Sequence, residues 1–323
     1  MMSEQENNWE RSVLEKLAYS ALQEQRRARR WSILFKSLTF GYLFLVLFLF
    51  MGWIGHGESG LSTGKHTALI ELDGVISSSS AASADNLIAS LQAAFKDKGT
   101  QGVILRINSP GGSPVQSGLV NDEMRRLRLM YPAIPLYVVV EDMCASGGYY
   151  IAAAADKIYV NKASIVGSIG VLMDGFGFTG SMGKLGVERR LLTAGENKGF
   201  MDPFSPRNPK HEEFTKAMLE EIHQQFIGVV KEGRGKRLKE SPEVFSGLFW
   251  SGQKSIEMGL ADEMGNLGSV ARDVIKEENI VDFTTRDGLA DRLAKKFGAG
   301  VASAFPGFAS QLGNAQSGGM TLR

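Results

Sequence analysis

The hydrophobic pattern changes character twice along the chain. Residues 1–36 are polar, and Trp9–Arg30 reads as a charge-rich helix with no long apolar run. Ser37–Ile54 (SLTFGYLFLVLFLFMGWI) then carries no charge over 18 residues, close to the roughly 20 that a bilayer-spanning helix needs. Leu43–Phe50 leaves no polar face, unlike a helix buried in a soluble domain. Trp31, Tyr42 and Trp53 lie in or beside this stretch, as interfacial aromatics do. A cleaved signal peptide fits less well, because the polar region ahead of the span is long and no small-x-small site follows it. Gly55–Lys65 (GHGESGLSTGK) is a polar linker.

Beyond it, short apolar runs alternate with segments of helical period. Ala68–Asp73, Gly102–Ile107, Leu136–Val140 and Lys157–Val160 read as strands. Asp85–Lys96, Pro114–Met130 and the Ala-rich run after Ser146 read as helices, with proline at the expected first position of the second. Strand, loop and helix repeat, which predicts right-handed βαβ crossovers and a parallel sheet. Ser164–Leu172 is expected as a bent strand, Phe176–Gly186 as holding a short helix, and Glu188–Thr193 as a strand. A long amphipathic helix is expected over His211–Gly233 and another helix near Asn266–Glu277. The expected organisation is a cytoplasmic segment 1–36, a transmembrane helix 37–54, a linker 55–65, an extracytoplasmic domain 66–283 and a weakly ordered tail 284–323.

Composition narrows the function classes. A net charge of +1 gives no reason to expect nucleic acid as a partner. Arg26, Arg27, Arg29, Arg30 and Lys36 precede the span, whereas the first basic residue after it is Lys65. The positive-inside rule therefore puts the N-terminus in the cytoplasm and the remainder outside. Cys144 stands alone, so no internal disulfide is possible. It suits a small buried filler at a strand end better than a nucleophile. The sequence has no His-Glu-x-x-His and no cysteine pair, so no metal and no cofactor are expected.

Two glycine loops, 108–113 and 144–148, leave the C-terminal ends of expected strands, where ligands of open α/β sheets bind. Ser146 stands in the second, where a strand hands over to a helix. A hydroxyl there is either an N-cap or a nucleophile beside unpaired N–H groups. None of the four histidines lies in a glycine loop, and the one Gly-x-Ser-x-Gly match, Gly60–Gly64, falls in the linker with no strand before it. Lysine serves as a base only when neutral, which burial promotes. Lys198 sits just before Phe200, Met201, Pro203 and Phe204, a locally apolar setting.

Asn108-Ser-Pro-Gly-Gly, Ala145-Ser-Gly-Gly-Tyr-Tyr-Ile-Ala, Ala155-Asp-Lys-Ile, Gly167-Ser-Ile-Gly-Val and Glu196-Asn-Lys occur in that order. Together they resemble the S49-type serine peptidases, in the short single-domain form of signal peptide peptidase A, from about Ala68 to Arg272. The resemblance implies a crotonase/Clp-protease-like spiral of ββα units and a Ser-Lys dyad of Ser146 and Lys198. It implies oxyanion donors at Gly112 and Gly147, with Ser168 orienting the lysine. The implied substrates are remnant signal peptides or other membrane-associated peptides. The implied assembly is a homo-oligomeric ring, octameric in one form, in which the lysine can come from a neighbouring subunit. Met143 and Cys144 before the nucleophile depart from the family pattern. Two rival readings share the fold: a catalytically inactive membrane scaffold and an acyl-CoA hydratase-like enzyme, the latter disfavoured because Ser146 occupies the key loop.

Overall fold

A computed structural model describes residues 3–50 and 64–285. They belong to two compact units. In the first, one unbroken helix, α1 (Ser3–Phe50), joins the charge-rich and apolar stretches. Its 48 residues extend about 70 Å at 1.5 Å per residue, more than twice the roughly 30 Å hydrocarbon core of a bilayer. Gln23–Phe48 within it is long and apolar enough to cross a membrane. Residues 51–54 of the expected span, linker residues 55–63 and the tail beyond 285 lie outside the described residues.

The second unit is a mixed α/β sheet flanked by helices, consistent with the expected ββα spiral. Strands β1 (His66–Asp73), β2 (Thr100–Ser109) and β3 (Leu136–Ala145) run parallel, with Ile70 opposite Leu105 and Leu105 opposite Val138. Helices α2 (Ala84–Lys96) and α3 (Pro114–Met130) make the crossovers. Ser83 and Ser113 cap them, accepting from the N–H groups of Asn86 and Gln116. Alternate strand residues face opposite sides, and both sides are covered. Ile70, Leu105 and Val138 pack with Leu91, Phe95 and Met124, while Leu69, Ile104 and Val139 pack against Val270 and Ala271. Burial on two faces is why these strands read as continuous apolar runs.

Strand β3 then forks. Tyr137–Val139 pair with β4 (Lys157–Val160), and Met143–Ala145 pair with β5 (Ile165–Gly167). The six-residue helix α4 (Gly147–Ala152) begins just after this fork. After α5 (Thr179–Leu185) and the long α6 (Pro209–Arg234), β6 (Phe249–Ser251) pairs antiparallel with β5. Helix α7 (Gly252–Glu257), β7 (Glu263–Met264) on β4, the short α8 (Leu267–Ser269) and β8 (Ile280–Asp282) on β1 complete the unit. Arg234, at the end of α6, is buried and donates to both oxygens of Asp262 and to Gly259 O. Asp262 also accepts from Ile158 N–H on β4, so this pair ties α6 to the sheet.

Two expectations are corrected and a third is refined. Ser164–Leu172 is extended only over Ile165–Gly167, because Gly167 (φ 113°) and Ser168 (φ 52°) turn the chain out of the sheet. Glu188–Thr193 is irregular and exposed rather than a strand, since no neighbouring strand is available to pair with it among the described residues. The expected helix near 266–277 is one α-turn, α8, followed by a wider π-turn over Val270–Ile275 and a left-handed Lys276.

Candidate active site

Ser146 occupies the turn from β3 into α4 with φ 51° and ψ −122°, a conformation costing on the order of 1–3 kcal/mol in a non-glycine residue. Its side chain makes no capping hydrogen bond, so the N-cap alternative does not hold. The backbone is fixed instead: Ser146 N–H donates to Gly167 O at 2.8 Å and Ser146 O accepts from Tyr150 N–H at 2.9 Å. The hydroxyl is left half-buried on a sharp strand-to-helix turn, the placement a serine nucleophile uses.

The loop leaving β2 packs directly on this turn. Gly111 (φ 101°) and Gly112 (φ 150°) follow Pro110. A Cβ added to Gly111 would lie 2.7 Å from Ser146 Cβ and from Gly147 N, and one added to Gly147 would lie 3.2 Å from Gly112 N. Only glycines permit this approach. Gly111 O accepts from Ile76 N–H and Ser113 N–H donates to Ile76 O, both at 2.9 Å. Among the described residues, the N–H groups of Gly112 and Gly147 have no acceptor. Two unengaged donors beside a hydroxyl are suited to holding a developing oxyanion.

Ser168 also comes to this corner. Ala145 pairs with Gly167, so Ser168 begins where Ser146 does, half-buried, with its N–H on Leu248 O at 2.8 Å. His223 of α6 holds the next residue through Nε2 to Ile169 O at 3.1 Å. Its partner is a carbonyl far away in the chain, a contact that helical period does not reveal.

Lys198 is placed differently from its expected burial. It is exposed, in a turn closed by its N–H on Gly195 O at 3.1 Å, and its side-chain nitrogen has no hydrogen-bond or ion-pair partner among the described residues. The apolar neighbours read from the sequence belong to an arm, residues 171–208, that packs largely on itself. Phe178 stacks on Phe204 at 5.4 Å, Arg189 pairs with Asp202 at 3.3 Å, and Phe200 meets His211 of α6 at 4.7 Å. Leu172, Phe176, Leu185 and Leu192 are exposed, the last at 96%. Cys144 is fully buried, and burial pushes its thiol well above the ordinary range, which suits a filler and not a nucleophile.

Known proteins are similar to this chain over the part of the sequence that includes this corner. The pattern of peptidase family S49 matches residues 130–281, which hold Ser146, Ser168 and Lys198. A "Putative signal peptide peptidase SppA" of Enterococcus faecium is 33% identical over 202 residues, 62% of this chain and 57% of that protein. A "Putative protease" of Methanocaldococcus jannaschii is 32% identical over 232 residues, 69% of this chain and 73% of that protein. A Brucella abortus protein named Na(+)/H(+) antiporter NhaA is 47% identical over 182 residues. That match covers 56% of this chain but only 25% of the Brucella protein.

Proposed function

The chain belongs to peptidase family S49, and on that premise we propose that it is a membrane-anchored serine endopeptidase using a Ser146–Lys198 dyad. The observation that carries this reading is the uncapped side chain of Ser146 on a strained turn, where the Gly111–Gly112 loop packs against Ser146 and Gly147 and leaves the N–H groups of Gly112 and Gly147 unengaged. Ser146 Oγ attacks a peptide carbonyl carbon, and its proton passes to the neutral Lys198 amine. The carbonyl oxygen becomes an oxyanion held by the two glycine N–H groups. Collapse of this intermediate breaks the C–N bond, and the Lys198 ammonium returns the proton to the departing amine. Water, deprotonated by the same amine, then hydrolyses the acyl-enzyme and frees Ser146. Ser168 orients the lysine by hydrogen bonding, and the chemistry uses no cofactor.

The exposed arm favours delivery of Lys198 from a second copy. The amine faces solvent in its own chain, and the apolar side chains beside it lack cover. A closed ring of copies, octameric as in the resemblance, would cover the arm. It would also desolvate the amine, which disfavours its ammonium form. Residues 37–54 anchor the chain in the cytoplasmic membrane with the N-terminus inside, as the basic residues before the span indicate. The peptidase domain, 66–283, then works at the outer face, where remnant signal peptides and other membrane-associated peptides are the fitting substrates.

The test is cleavage of a fluorogenic peptide by the full chain. Ser146→Ala and Lys198→Ala should each abolish cleavage while leaving the thermal transition in place. Mixing the two inactive variants under subunit exchange should restore activity if the lysine acts between copies. Full activity in either single variant would refute the dyad.

A further inference from the structure

We infer that Ser109 is a positioning residue that aims the Gly112 N–H at the reacting oxygen, an inference that rests on the reading of Gly112 as an oxyanion donor. Ser109 ends β2 and is 0% exposed. A buried hydroxyl needs partners, and this one joins two elements of the site. It donates to Gly74 O at 2.6 Å and accepts from Gly111 N–H at 3.1 Å. Gly74 is the turn leaving β1, with φ 81° and its own N–H on Asn108 O at 2.9 Å. The exit of β1 and the loop leaving β2 are thus held through one side chain.

The consequence for Gly112 follows from peptide planarity. The C=O of Gly111 and the N–H of Gly112 belong to one rigid unit and point opposite ways. On one side of Gly111, its N–H is held by the Ser109 hydroxyl. On the other, its C=O is held by Ile76 N–H at 2.9 Å. Two successive glycines have no intrinsic preference for φ 101° and 150°, so these ties select the conformation. Ser109 also backs the second loop: a Cβ on Gly148 would lie 3.3 Å from Ser109 O and 3.7 Å from its Oγ. Strand pairing places Ser109 opposite Cys144, among buried apolar neighbours where alanine would satisfy packing. The hydroxyl is therefore explained by the loop it holds and not by the core.

Loss of that hydroxyl strands the Gly111 N–H and frees the loop to reorient. Only the oxyanion, absent from the bound ground state, feels the change, so kcat falls while KM holds. Complete removal of an oxyanion donor costs about 10²–10³ in kcat, and a misaimed donor should cost roughly 10- to 100-fold by the same scale. The experiment uses the full chain with a fluorogenic peptide, a peptide aldehyde that forms an oxyanion on Ser146, and the matching peptide alcohol that forms none. Expected for Ser109→Ala is a fall in kcat at constant KM, an equal fall in aldehyde affinity, and unchanged alcohol affinity. Should that variant fail to fold, Ser109→Cys, which keeps the shape with a weaker donor, is read by the same aldehyde-to-alcohol ratio. Equal losses for both ligands, a raised KM with unchanged kcat, or wild-type kinetics would overturn the inference. Cleavage that survives Ser146→Ala would remove the underlying reading, and the inference with it.

Discussion

An alanine at position 112 would place its Cβ 2.1 Å from Ile76 O and 2.8 Å from Ile76 N. Both are backbone atoms of a paired segment, so neither can swing aside as a flexible side chain would. The bridge between Ile76 and Gly112 must open, with loss of the two hydrogen bonds that flank it, Ile76 N–H to Gly111 O and Ser113 N–H to Ile76 O. Each is worth about 0.5–1.5 kcal/mol, and φ 150° adds on the order of 1–3 kcal/mol for a residue with a side chain. The sum, about 2–6 kcal/mol, corresponds to a fall of roughly 5–20 °C in Tm for a domain of this size. In the fraction that stays folded, the Gly112 N–H moves away from Ser146, and kcat should drop by about 10²–10³. Scanning calorimetry and peptide hydrolysis check the two effects separately. Gly118→Ala is the control: it lies within α3 with nothing within 4 Å of an added Cβ. It should gain about 0.5–1 kcal/mol from helix propensity alone and keep wild-type kcat. A Gly112→Ala enzyme with unchanged Tm and kcat would refute the contact between the two loops. Equal losses in both variants would show that any glycine change at this end of the sheet has the same effect.

Other outcomes follow from the same geometry. Burial of Asp262 acts to raise its pKa, but hydrogen bonds and charge from Arg234 outweigh it and hold the carboxyl below its ordinary value. Its contribution to stability is present above about pH 4, the unfolded value, and is lost as pH falls through the lower folded value. Urea melts from neutral to acid pH should therefore show Asp262→Asn less stable at neutrality and lacking this share of the acid loss. Removing Arg234 leaves that carboxylate only the part-exposed Arg237 guanidinium at 3.1 Å and the Ile158 N–H as partners, and Arg234→Met should cost at most about 3–5 kcal/mol in the same melts. Cys144 should resist iodoacetamide in the native state and react on unfolding, with peptidase activity intact after native treatment; rapid native labelling would contradict its burial. Phe176→Ser with Leu192→Ser should leave the thermal transition of the domain unchanged, because both side chains are already exposed. The pair should reduce assembly in light scattering and lower activity with it; full assembly and activity would argue against the arm as an interface.

Much of the domain is legible in the chain because its cause is local. Strands β1 to β3 are buried on both faces, so each is an unbroken apolar run. The bounds of α3 follow from Ser113 and Pro114 at its start and the loss of helical period after Met130. The two glycine loops are visible as sequence, and the structure brings Gly112, Gly147, Ser146 and Ser168 to one corner. What stays hidden depends on partners distant in the chain or in other copies. Whether Ser146 caps α4 turns on one backbone conformation, which its neighbours Ala145 and Gly147 do not dictate. Phe200, Met201 and Phe204 mark apolar surface near Lys198, but whether that surface is covered depends on what packs against the arm. The misread strand at Glu188–Thr193 has the same origin: extended propensity without an available edge. Ser109 and His223 read as unremarkable positions because each bonds a backbone atom that only the fold brings near.

The most direct measurement is mass spectrometry of the full chain after treatment with a fluorophosphonate, with the labelling rate compared between wild type and Lys198→Ala. Expected is a single phosphonyl adduct on the peptide containing Ser146, formed far more slowly when Lys198 is gone. An adduct on another residue, or equal rates with and without the lysine, would contradict the Ser146–Lys198 dyad.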